Sequence, residues 1–80
     1  MFSIGDIVTT SDDFNQHRIE GSVLSPPPDS VGIIMEIMEY SKHTGETIRF
    51  GVAWFDWQPK IRTRDGLLWY DPTSIKEFGK

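Results

Sequence analysis

Residues able to do acid–base chemistry near neutral pH are few. His17 and His43 lie in separate polar segments, and no spacing ties either one to a carboxylate or a nucleophile. Each is expected to be solvated or locally bonded. The serines (Ser3, Ser11, Ser22, Ser25, Ser30, Ser41 and Ser74) include none in a Gly-x-Ser-x-Gly elbow, so nucleophilic catalysis has no support. Asp12-Asp13 with Glu20, or Asp56 with Asp65, could offer oxygens to a hard cation. No EF-hand spacing accompanies them, and capping or turn roles explain them better. Phosphate-cradling glycine loops of the Gly-x-x-x-x-Gly-Lys and Gly-x-Gly-x-x-Gly kinds are absent. No cofactor, no metal and no enzymatic activity are expected.

Two constellations remain. Lys60-Ile61-Arg62-Thr63-Arg64 puts Lys60, Arg62 and Arg64 on one face if the segment is extended, with Trp57 just upstream and Trp69 across the following hairpin. A basic strip beside aromatics is how a single-stranded nucleic acid is held, by stacking and phosphate contacts. Asp56 and Asp65 flank the strip, however, and charges on an edge strand also serve to block unwanted pairing. The second constellation is aromatic. Phe50 and Trp54 belong to the core, Phe55 shares a face with Arg49, Trp57 follows the strand, and one of Trp69 and Tyr70 must face outward. Trp, Tyr and Arg together are the composition of interface hot spots, although aromatics also cover the ends of a small core.

The elements that must position these groups are short strands. The chain has 80 residues, 38% hydrophobic, ten of them aromatic, and no cysteine, which excludes a disulfide scaffold and thiolate chemistry. Its formal charge of -4 disfavours a general phosphate-backbone binder. No apolar run approaches the ~20 residues of a membrane helix, and no basic start leads into an apolar stretch, so a secretory signal is not expected.

Strands are read at 2–10, interrupted by a turn at Gly5-Asp6 with Val8 inward and Ile7 and Thr9 on the other face, and at 32–40. Plain alternation in the second would bury Glu39 or waste Ile34. A bulge near Met35-Glu36 brings Ile34 and Ile37 to one face and releases Glu36. The third strand, 48–57, alternates cleanly, with Ile48, Phe50, Val52 and Trp54 on one face and Arg49, Gly51, Ala53 and Phe55 on the other. Leu67–Tyr70 and Ile75–Phe78 complete the set, joined by one helical turn at 73–75. No helical periodicity is sustained elsewhere. The long connection 11–30 is expected to fold back through Phe14, Ile19, Val23 and Leu24. Its Pro26-Pro27-Pro28 run excludes a central strand, and either stiffens the loop or serves as a ligand for another chain. Gly45 is the left-handed candidate of the 41–47 hairpin connection.

The series Gly5-Asp6-x-Val8, Gly32-x-Ile34-x-x-Ile37, Phe50-x-Val52-x-Trp54 and Trp69-Tyr70-Asp71-Pro72-x-x-Ile75 resembles the Src-homology-3-like (SH3-like) barrels, including KOW-type domains, over nearly the whole chain. The same set is similar to small uncharacterised proteins of tailed bacteriophages. The resemblance implies an all-β, five-stranded SH3-like barrel of residues 1–80, with a long first (RT-like) loop and one helical turn before the last strand. Such barrels host many functions. The reading is a non-enzymatic protein–protein interaction or structural module of a viral, phage-like assembly, cytoplasmic or virion-associated. It would contact a protein partner or further copies of itself through Phe55, Trp57, Lys60, Arg62, Arg64 and Trp69, with the 22–30 loop as a second surface and no membrane. The alternative is a KOW-like nucleic-acid-binding domain using the same strip, which the resemblance permits. A weaker one is an accessory subunit of an enzyme complex.

Overall fold

A computed structural model of the chain describes residues 2–21, 25–41, 46–59 and 67–79. The elements in chain order are β1 (Ile7–Thr10), α1 (Asp12–His17), β2 (Val31–Ser41), β3 (Glu46–Trp54), β4 (Leu68–Tyr70) and β5 (Ile75–Glu77). All strand pairs are antiparallel, and the sheet runs β4-β3-β2-β1-β5. The all-β expectation holds. The sheet is open, however: β4 and β5 are its two edges, and no ladder joins them among the described residues.

β2 is the longest strand among the described residues and pairs on both sides, with β1 through Val31–Ile33 and with β3 from Gly32 to Ser41. Its register slips between Ile34 and Glu36. This is the expected bulge, and it has the expected effect. Ile34 is fully buried, Ile37 packs against the same core, and Glu36 is exposed. An extra residue in one strand turns the following side chains over without breaking the ladder.

Val8, Ile34, Phe50, Val52, Trp54, Tyr70 and Ile75 form the core, and Phe2, Phe14, Ile37, Ile48, Trp57 and Leu68 pack against it. β3 alternates as its sequence requires, with Phe50, Val52 and Trp54 inward. The strand ends at Trp54, because residues 55 and 56 bend away. Phe2–Asp6 is not strand: Asp6 donates its N–H to the Ser3 carbonyl, and Gly5 takes φ +94. The β4–β5 connection is a single turn over 72–74, closed by Ser74 N–H to Asp71 O at 3.0 Å.

α1 corrects the expectation that helical structure is confined to that connector. Ser11 caps it, accepting from Phe14 N at 3.2 Å, and Asp12 and Asp13 occupy its first turn. The Ser11 hydroxyl also donates to the Thr73 carbonyl, and Ser11 N–H donates to Ser74 O at 3.0 Å. One serine thus joins the helix start to the β4–β5 turn. Ser11→Ala is expected to cost about 1–2 kcal/mol, read as a shift of the urea midpoint.

The long connection is tied down at named points. Thr9 Oγ1 donates to Ser30 O at 2.7 Å, Asp29 N–H to Thr10 Oγ1 at 2.9 Å, and Arg18 Nε to Pro26 O at 2.8 Å. Both threonines are therefore buried, so Thr9 does not share the exposure of Ile7. Pro26 is fully buried, while Pro27 and Pro28 are exposed. Ile19, expected as an anchor, is 75% exposed. Val23, Leu24 and Gly45 lie outside the described residues.

Candidate functional site

The outer face of β2, β3 and β4 carries the side chains that the core does not use. Pleat alternation places Arg49, Gly51 and Ala53 of β3 on this face, with Phe55 continuing it. Phe55 N–H donates to Val31 O at 2.9 Å, so the alternation survives one residue past the strand. Opposite these positions, Met38 pairs with Arg49, Glu36 with Gly51, Ile33 with Ala53, and Trp69 with Gly51 from the other side. Gly51 is where this face depends on a missing side chain. A Cβ there would meet Leu67 Cδ1 at 3.2 Å and Trp69 Cη2 and Cζ3 at 3.3 Å. The indole of Trp69 therefore lies across β3 on the glycine, half-buried, with its remaining surface outward. Phe55 is 57% exposed, and Met35 and Met38 are also exposed. Arg49 to Phe55 spans roughly 20 Å of strand.

Beneath this face, Tyr70 points inward and Trp69 outward. Tyr70 OH accepts from Trp54 Nε1 at 3.0 Å, and the two rings meet edge to face at 5.5 Å. Phe14 of α1 stands edge-on to Tyr70 at 6.1 Å. Burial pushes the Tyr70 phenol above its ordinary pKa, and the Trp54 hydrogen bond opposes this to a smaller extent. The folded state thus holds this proton more tightly than the unfolded chain does. The stability this gives is intact below pH ~10 and lost as pH rises through the raised value. Urea midpoints should be level from pH ~8 to ~9.5 and fall above ~10, and Tyr70→Phe should flatten that alkaline fall.

The aromatics singled out in the sequence divide between two surfaces. Phe55 and Trp69 share the outer face. Trp57 is partly buried and packs against the core cluster. Lys60, Arg62 and Arg64 lie outside the described residues, in the segment joining Pro59 to Leu67. Arg49 and Met38 join Phe55 and Trp69 on the outer face. Arg49 was legible as an outward residue of β3, and Met38, its partner on β2, faces outward because its neighbour Ile37 turns inward.

Three of the groups weighed for other chemistry, Asp12, Asp13 and His17, have local partners. Asp13 and His17 form an exposed i,i+4 pair at 3.6 Å, and His17 Nδ1 also lies 2.9 Å from the Asp13 carbonyl. Asp12 pairs with Lys76 at 3.5 Å. Among the described residues no group of three or more His, Asp or Glu side chains is placed to hold a metal ion. His43 and Asp65 lie outside the described residues. No helix among the described residues is long and apolar enough to cross a membrane. Compared with known proteins, the chain matches no family model, no curated protein and no solved structure.

Proposed function

We propose that this protein is a non-enzymatic interaction module whose contact surface is the outer face of β2–β3–β4. The observation that carries the reading is Trp69 laid across Gly51, with Arg49, Met38 and Phe55 on the same face. Trp, Arg, Met and Phe are enriched where protein interfaces carry their energy. A rigid sheet also presents them with little entropy to lose.

The fold we read behind it is an SH3-like barrel. Support comes from the meander order β4-β3-β2-β1-β5, the bulge that lets β2 serve two halves of the sheet, and the single turn before β5. Membership of a phage-like assembly rests on the resemblance of the motif series alone.

A photo-cross-linking residue placed at Phe55 or Trp69 should give one discrete adduct in the native cell, and the same residue at exposed Asp13 should give none. Equal labelling from all three positions contradicts the assignment of this face. The competing nucleic-acid reading predicts a mobility shift with single-stranded DNA or RNA that disappears steeply as salt rises. Absence of a shift at low salt removes it.

A further inference from the structure

Two opposite charges are neighbours on the outer face. Glu36 of β2 lies opposite Gly51 and Arg49 of β3 lies opposite Met38, so the two are diagonal neighbours, roughly 8 Å apart. Glu36 is exposed, and Arg49 is half-buried with its Nη1 donating to the Ile48 carbonyl at 3.2 Å. Among the described residues no ion pair involves either group.

The other diagonal of the same patch is apolar. It runs from Met38 of β2 to Trp69 of β4, two strands across and one outward position along. With strands ~4.8 Å apart and successive outward residues ~6.8 Å apart, this line is roughly 12 Å long and passes midway between Glu36 and Arg49, at a right angle to the line joining them. Met38 is 45% exposed, and Trp69 keeps an outward surface over Gly51. A half-turn about the Met38–Trp69 line leaves these two residues in place and exchanges Glu36 with Arg49. A face with that property is complementary to itself, as an isologous two-fold contact requires.

We propose that the outer face is a homodimer interface whose two-fold axis lies along Met38 and Trp69. Laid face to face, two copies set Met38 on Met38 and Trp69 on Trp69, and each Arg49 meets the Glu36 of the other copy. The axis makes roughly 55° with the strands, so the two sheets cross at roughly 70°, near the orthogonal class of sheet packing. The paired indoles supply apolar area, and the two ion pairs fix the register. The patch is small, so the dimer belongs to the weak, reversible class. This pairing rests on the outer-face reading, names its occupant as a second copy, and makes a dimer the unit that joins any larger assembly. Phe55, two outward positions beyond Gly51, stays clear of the axis and open to another protein.

Sedimentation velocity of the purified full chain, from ~10 to ~500 μM, should show the wild type pass from monomer to dimer. Arg49→Glu and Glu36→Arg each bring like charges together twice, and each should weaken association at least about tenfold. The double variant Glu36→Arg/Arg49→Glu should recover it. So should an equimolar mixture of the two single variants, because every contact is then between opposite charges. Asp13→Lys, which changes net charge away from this face, should dimerise like the wild type. Circular dichroism verifies that each variant folds. Met38→Glu, which sets two carboxylates together on the axis at an exposed position, should also be monomeric and tests the face should Arg49→Glu fail to fold. A wild type that stays monomeric at ~500 μM overturns the pairing, as do a folded double variant and a mixture that recover nothing. A photo-cross-linking residue at position 69 separates the two levels in the native cell. An adduct of twice the chain's mass supports the pairing. An adduct of any other mass overturns it and leaves the outer-face reading standing.

Discussion

Phe50→Ala is expected to lower stability by about 3–5 kcal/mol, the cost of deleting a well-packed core aromatic. Phe50 is 1% exposed and sits in the middle of β3, the strand with ladders to both β2 and β4. It pairs with Ile37 on one side and Tyr70 on the other, and Phe2 stands edge-on to its ring at 5.3 Å. Its removal therefore opens a void touching three strands and frees the N-terminal segment that Phe2 pins. A domain of 80 residues commonly has only about 4–12 kcal/mol to lose. Denaturant titration should show loss of most of the folded population's margin, with the m-value unchanged. A loss below about 1 kcal/mol contradicts the placement of Phe50 at the centre of the core.

Gly32→Ala is expected to be comparably damaging, on the order of 3 kcal/mol, although it adds only one methyl group. The new Cβ would lie 2.7 Å from Ala53 O, 2.8 Å from Val52 Cγ1 and 2.9 Å from Trp54 Cε3. None of the three has room to retreat. Ala53 O belongs to β3 within the β2–β3 ladder, Val52 is a buried core residue, and Trp54 is held by Tyr70 through a hydrogen bond and ring contact. Gly51→Ala provides the contrast. Its nearest neighbours are the far ends of Leu67 and Trp69, which can shift by a few tenths of an ångström, so the cost should stay below about 1 kcal/mol. Equal midpoints for the two variants contradict the packing described for Gly32.

The parts of the fold legible in the sequence were those where one residue would otherwise be misplaced. Glu39 could not be buried with Ile33, Met35 and Ile37, and that conflict located the bulge. Arg49 could not enter the core, and that fixed the faces of β3. α1 was not legible. It is six residues long, contributes one aromatic contact through Phe14, and depends on the tie from Ser11 to Thr73, 62 positions away. Ile19 failed as an anchor because apolar character says little in a loop whose Arg18, Thr9 and Thr10 hydrogen bonds decide its course.

The candidate site was half legible. Phe55 followed from alternation, which also required one of Trp69 and Tyr70 to face outward; burial of Tyr70 makes it Trp69. Trp57 looked equivalent, yet it packs against the core because the chain bends at 55–56 and alternation no longer governs it. Gly51 leaves room for a close approach on β3, and the group that fills it is the Trp69 indole.

The central claim is that this protein acts by contact through the outer face of β2–β3–β4. The direct measurement is gradient sedimentation of the chain in extract from its native cell, comparing wild type with Phe55→Ala/Trp69→Ala. The account predicts that the wild type travels with a high-mass assembly. The double variant should remain folded by circular dichroism and sediment free of that assembly. A wild type that sediments without any high-mass assembly, or a double variant that travels with the assembly as the wild type does, contradicts it.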